Sequence, residues 1–256
     1  MRHDPASTPT PAMVSTAFGL LPTSTVLAER SAPVGRARGG RALQGVPYVV
    51  WWDQELPPSL ADICLRRDRP GIAYGDERPQ DRCRGVLWAR MSGKRGDGKA
   101  VFPALHPGRQ RAAMWHLLCQ VCNGPASRTP EGWLFLFEKP SGPTEDMPDG
   151  PGPDWPEGVR TRQPPVCLTC APIARDHCPH LSGRCVAVRA QAVRRAGVNG
   201  ALFQPAGFGV AQVESDLALI FGAEGIRWLL GSQLLVTLHS TTRVDLDREL
   251  ARGRRR

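Results

Sequence analysis

"MWHLLCQVCNGPA" (Met114–Ala126) contains a Cys-x-x-Cys pair, and after 44 intervening residues between Cys122 and Cys167 the spelling returns in "PPVCLTCAP" (Pro164–Pro172). Zinc takes four tetrahedral ligands, and a Cys-x-x-Cys turn lets two thiolates converge on one ion while backbone N–H groups face the sulfurs. Two such turns complete the shell, so Cys119, Cys122, Cys167 and Cys170 are the expected zinc ligands. Four thiolates leave no coordination position for water, so the zinc is expected to be structural and no catalytic residue is assigned. Buried free thiols or a redox dithiol are the competing readings, and two matching pairs weigh against both.

Working outward, "HPGRQRAAMWHLLC" reads as a helix with Pro107 in its first turn and Ala113, Met114, Leu117 and Leu118 as an apolar stripe. It delivers Cys119 just past its end. Asn123 and Gly124 follow where a knuckle needs a left-handed residue. "GWLFLFEK" (Gly132–Lys139) is strand-like, and "VCLTCAPIARDHC" opens a short helix at the second pair. Knuckle, hairpin, then a helix bearing the last two ligands is the order of a treble clef. The long spacer is no obstacle: two doublings of loop length cost roughly 1.2 kcal/mol, against on the order of 10 kcal/mol from structural zinc.

"DHCPHLSGRC" offers a second candidate metal set in Cys178, His180 and Cys185, with His177 beside them. A capped helix end with a core cysteine on the next strand explains that cluster equally well. Cys64 and Cys83 have no partner at motif spacing and read as ordinary thiols.

Strands are predicted at "VPYVVWW" (Val46–Trp52), "GVLWARM" (Gly85–Met91), "RCVAVRAQAV", "GALFQP" and "DLALIF". "EGIRWLLGSQLLVTLHS" (Glu224–Ser240) reads as an apolar C-terminal helix, with Ile226, Leu230, Leu234 and Leu238 spaced by four. "VDLDREL" reads as a polar strand or turn. Residues 139–165 hold eight prolines and four glycines and are acidic, which predicts a solvated loop rather than a core element. Residues 1–45 have no sustained period and read as a disordered arm, or as translation from a start codon placed too far upstream; 251–256 form a basic tail. The expected architecture is therefore α+β: a treble-clef zinc element in a small mixed sheet with a C-terminal helix, as one domain over 46–250.

Lysine and arginine number 33 against 24 acids, a net charge of +9. Only three of the 33 are lysines, which reads as the codon bias of a GC-rich genome. The excess favours polyanions, and Arg82, Arg84, Arg109 and Arg111, flanking the second strand and the knuckle, are the candidate nucleic-acid contacts. No run reaches the eighteen or so apolar residues of a membrane helix. Asp4 and Pro22 argue against a secretory leader at Ala12–Ala28, so a cytoplasmic location is expected, where paired cysteines read as metal ligands before disulfides.

"RAAMWHLLCQVCNG" with "PPVCLTCA" resembles the zinc-framed HNH endonucleases over Arg109–Ile173. That family places a catalytic histidine between the two pairs, and this chain has none from Cys122 to Cys167. From "GVPYVVWW" to "STTRVDLD" the chain also resembles a family of proteins from high-GC actinobacteria, which brings no activity with it. The leading expectation is a non-enzymatic binding protein, of a mobile-element or regulatory kind, that contacts nucleic acid or a protein partner. Alternatives are a divergent metal-dependent nuclease using His116, His177 or His180, and a protein–protein adaptor using the apolar C-terminal helix.

Overall fold

The computed structural model describes residues 45–142 and 151–253. The expected disordered arm, except for Gly45, therefore lies outside the described residues, as do 143–150 of the acidic loop and the last three residues of the basic tail. In chain order the elements are β1 (Val50–Trp52), β2 (Ile63–Leu65), β3 (Ile72–Tyr74), β4 (Arg82–Cys83), β5 (Val86–Trp88), β6 (Ala100–Leu105) and α1 (Pro107–His116). There follow β7 (Arg128–Thr129), β8 (Gly132–Glu138), β9 (Arg160–Thr161), α2 (Ala171–His177), β10 (Cys185–Ala206), β11 (Gly209–Ile220), β12 (Leu229–Val244) and α3 (Leu246–Gly253).

The class is α+β, but the sheet is not small. Eight strands run in the order β4-β5-β12-β10-β8-β7, with β11 also on β10 and β9 also on β12; β1–β6 and β2–β3 form separate pairs. Strand β10 absorbs both "RCVAVRAQAV" and "GALFQP" and continues for 22 residues. It pairs with β8 from Cys185 to Ala190, with β11 from Gly197 to Ala206, and with β12 along most of its length. Register shifts near Gly197 and Gly200 bend it, and both glycines are needed for close approach: a Cβ would lie 2.1 Å from the carbonyl oxygen of Leu219 or Leu230 respectively.

The predicted helix at Glu224–Ser240 is instead a short 3-10 turn, Glu224–Trp228, leading into β12. A spacing of four is divisible by two, so Leu234 and Leu238 fall on one face of a strand as readily as on one face of a helix, and Leu229 joins them in the main core. The register shift at Ser232 turns Leu230 to the other side, where it packs with Ile72, Leu87 and Phe203, and all four leucines are buried. An interior strand needs apolar residues on both sides. The C-terminal helix is α3, in the stretch expected to be strand or turn. Asp245 caps it, accepting the Arg248 N–H at 3.0 Å. Leu246 and Glu249 are buried beneath it. Glu249 takes up the fully buried guanidinium of Arg189 on β10, which also donates to the Gly132 carbonyl at 2.9 Å.

The outer edge of β12 is completed piecewise. Strand β5 covers Leu230 and Gly231, and β9 covers Val236 and Thr237. The Gly158 N–H donates to the Leu238 carbonyl at 2.9 Å, and the Leu238 N–H to the Val159 carbonyl at 3.0 Å. Between them, at Leu234, no strand is present. The buried Gln110 side chain from α1 takes that place: its Oε1 accepts the Leu234 N–H at 2.8 Å, and its Nε2 donates to the Leu234 carbonyl at 3.1 Å and to the Arg162 carbonyl at 2.7 Å. The amide thus acts as one residue of a missing strand, and it fixes α1 on the sheet. This edge also corrects the reading of 139–165 as wholly solvated, because Trp155 and Val159 enter the main apolar core with Met114, Phe135 and Leu238.

Replacing Gln110 with alanine leaves two buried backbone groups of Leu234 and the part-buried Arg162 carbonyl short of a partner. It is expected to lower stability by about 3 kcal/mol, read from urea unfolding followed by tryptophan fluorescence.

Candidate metal centre

The four predicted ligands converge. The Sγ atoms of Cys119, Cys122, Cys167 and Cys170 all lie within 4.8 Å of one another, and Cys122 and Cys167 stand 3.8 Å apart. That is nearly twice an S–S bond. It equals the edge of a tetrahedron with zinc–sulfur bonds of 2.3 Å, about 3.8 Å.

Each ligand is placed by local backbone chemistry. Helix α1 ends at Leu117, whose left-handed φ of +54° turns the chain, and a β-bridge from Leu118 to Pro125 closes the knuckle. Asn123 takes the left-handed conformation, φ +61°, as its position in "CQVCNG" predicts. Its N–H donates to the Cys119 carbonyl, and the Cys119 N–H to the Gly124 carbonyl, both at 2.8 Å. The second pair arrives on a segment held by main-chain bonds, Ser127 N–H to the Val166 carbonyl and Val166 N–H to the Leu134 carbonyl, each at 2.9 Å. Cys170 then caps α2. Cys119 and Cys170 sink into an apolar cluster with Leu134, Leu136, Val166 and Leu246. Cys122 is exposed beside a cavity of about 280 Å³ lined by Tyr48, Arg95, Val121 and Ile173, which gives an ion a path of entry.

Burial pushes the Cys119 thiol up to about 11, opposed by the backbone N–H groups of Cys122, Cys167 and Val121. Burial, then the neighbouring thiols, raises Cys170 further. At Cys122 burial is outweighed by the Gly124 N–H and the adjacent thiols, and the thiol is lowered. Two buried sulfurs that resist ionisation alone, within 4.8 Å of each other and of two further thiols, are suited to a cation that supplies the missing charge.

Among the described residues these cysteines are the one group of three or more His, Cys, Asp or Glu side chains close enough to share an ion. Cys178, His180 and Cys185 do not join in such a group. His180 is exposed and faces Glu138 at 3.5 Å, and the Nδ1 of His177 lies 3.0 Å from the carbonyl of Ile173 in its own helix. Cys64 donates to the Ala73 carbonyl, and Cys83 packs against the main core.

The four candidate arginines are scattered in role. Arg109 is buried in a two-pronged pair with Glu55, and also donates to the Val50 carbonyl at 2.8 Å. Arg82 grips Glu77 through two bonds of 2.7 Å. Arg111 lies over the Trp88 ring at 4.7 Å and is half-buried. Only Arg84 is exposed, stacked over Trp115 and Phe221. Glu55 stands 54 residues before Arg109, a pairing without local signal. The sequence reading also passed over Arg195, which lies 4.2 Å over the Trp115 ring from 80 residues away.

Comparison with protein-family models, curated proteins and solved structures finds no match for this chain. Among the described residues, no helix is long and apolar enough to cross a membrane.

Cys170→Ser is expected to abolish stoichiometric metal binding and to lower stability by several kcal/mol. The double change Cys178→Ala, Cys185→Ala should keep one ion per chain. Elemental analysis of the purified variants with thermal unfolding separates the two outcomes.

Proposed function

We propose that this protein is a zinc-stabilised, non-enzymatic nucleic-acid-binding protein of the cytoplasm, built on a treble-clef element. The observation that carries the zinc reading is the convergence of four sulfurs within 4.8 Å of one another, one pair of them at the 3.8 Å edge of a ZnS4 tetrahedron. The order of knuckle, β7–β8 hairpin and α2 supports the treble clef, and the all-thiolate set favours zinc among the first-row metals. Such an ion is coordinatively closed, so its contribution is to folding.

Nucleic acid is the favoured partner because basic residues outnumber acidic ones within the described residues as well as in the arm and tail. Exposed arginines that have no carboxylate partner among the described residues stand beside aromatic rings. The adaptor alternative is set aside, since its apolar helix is the buried strand β12. The resemblance to HNH endonucleases extends to the metal framework alone: no histidine stands between the cysteine pairs.

The test is fluorescence anisotropy of the full chain, zinc-loaded and chelator-stripped, with labelled DNA over a salt series. Micromolar or tighter binding by the zinc form is expected, with log K falling linearly in log salt and loss of binding on stripping. Equal binding by the stripped, unfolded chain would show that charge in the arm and tail, rather than the folded domain, carries the interaction.

A further inference from the structure

We infer that the exposed end of α1 is a platform for single-stranded nucleic acid, an inference that rests on the nucleic-acid reading above and assigns it a place. Trp115, in the last turn of α1, lies under two guanidinium groups: Arg195 from β10 at 4.2 Å and Arg84 from the β4–β5 turn at 5.8 Å. Arg84 also lies 5.2 Å over Phe221, whose N–H donates to the Ala196 carbonyl at 2.9 Å, so the two rings and the two cations form one patch. Arg195 is fixed by a bond from its Nη2 to the Trp115 carbonyl at 3.0 Å.

Arg84 sits at φ +51° in a two-residue turn with Gly85, a conformation that an arginine backbone adopts at a cost and that asparagine or glycine fills more readily. No carboxylate among the described residues pairs with Arg84 or Arg195. Arg194 and Arg160 align across Thr237 on adjacent strands and alternate to the opposite face of the sheet from Arg195, so they lie outside this patch.

Guanidinium groups over aromatic rings, with N–H groups to spare beyond the one that Arg195 donates to the Trp115 carbonyl, suit unstacked bases and the phosphates between them. A duplex would need an element able to enter a groove, and the described elements do not offer one. Helix α1 is seated on β12 through Gln110, Ala113 and Met114. Helix α2 starts in the metal site, and α3 is docked through Leu246 and Glu249. The β10–β11 ribbon has no lysine or arginine from Gly200 to Ile220 and carries Glu214 and Asp216.

The experiment uses the zinc-loaded full chain with fluorescein-labelled dT20 and a mixed-sequence 20-base-pair duplex. It compares wild type, Arg84→Ala with Arg195→Ala, and a charge-matched control, Lys94→Ala with Lys139→Ala. All four positions are exposed, so the fold is expected to survive, as checked by zinc content and thermal unfolding. The expected result is that dT20 affinity falls tenfold or more in the arginine pair, with the salt slope reduced by about 1.4, two contacts at 0.7 each. The lysine pair should stay within about threefold of wild type, and dT20 should quench tryptophan fluorescence in wild type more than in Trp115→Phe. Equal losses in the two pairs, or a duplex bound more tightly than dT20 and indifferent to the arginine pair, would overturn the platform while leaving nucleic-acid binding in place. Absence of binding to both probes in wild type would overturn both readings.

Discussion

The mutual approach of four cysteine sulfurs is the constraint around which the chain is arranged. Between Cys122 and Cys167 the chain runs out through β8, the inner strand beside β10, and returns through β9 on the edge of β12. The site thus closes a loop that contains a core strand, and the closure cost of that loop is small beside the binding free energy of a structural zinc. The same apolar cluster that buries Cys119 and Cys170 receives Leu246 of α3, so the metal element, the sheet and the C-terminal helix share one packing unit.

Around that anchor the sheet is organised by two long strands whose edges are completed by different means. Strand β10 is flanked by β8 on its first half and β11 on its second, with glycines where the register shifts. Strand β12 receives short pieces of chain and one side-chain amide. A buried backbone N–H left alone costs as much as a lost hydrogen bond, so Gln110 has a structural task that apolar residues cannot perform. The buried Arg189–Glu249 and Arg109–Glu55 pairs follow the same logic: each guanidinium gains further carbonyl acceptors, which offsets its desolvation.

The sequence disclosed much of what is encoded locally. Cys-x-x-Cys spacing picked out the four cysteines that converge because the geometry of the turn is contained in four residues, and Pro107 marked the start of α1 because its missing N–H suits a first turn. Spacing by four misled at Leu234 and Leu238, where helix and strand periods coincide over short apolar runs, while a register shift in β12 turns Leu230 to the opposite side. Proline and glycine concealed the return of Trp155 and Val159 to the core. The roles of Arg109 and Arg195 were not legible at all, since one is decided by a carboxylate 54 residues away and the other by an indole 80 residues away. For α3 a signal was present in Asp245, an N-cap residue ahead of a short amphipathic turn, and it was outweighed by the polar look of the segment.

Arginine has three distinct tasks in this molecule: buried ion pairing, stacking on aromatic rings, and surface charge. A net positive charge therefore overstates the surface available to a polyanion, and exposure combined with the lack of a carboxylate partner identifies the cations that remain. All of these groups sit on a fold in which four cysteine sulfurs converge as a metal shell would require. The most direct test of that shell is X-ray absorption at the zinc edge of the purified protein. The account predicts a single shell of four sulfurs at about 2.3 Å. A shell containing nitrogen or oxygen, or protein that folds with an intact Cys122–Cys167 disulfide and no metal, would contradict it.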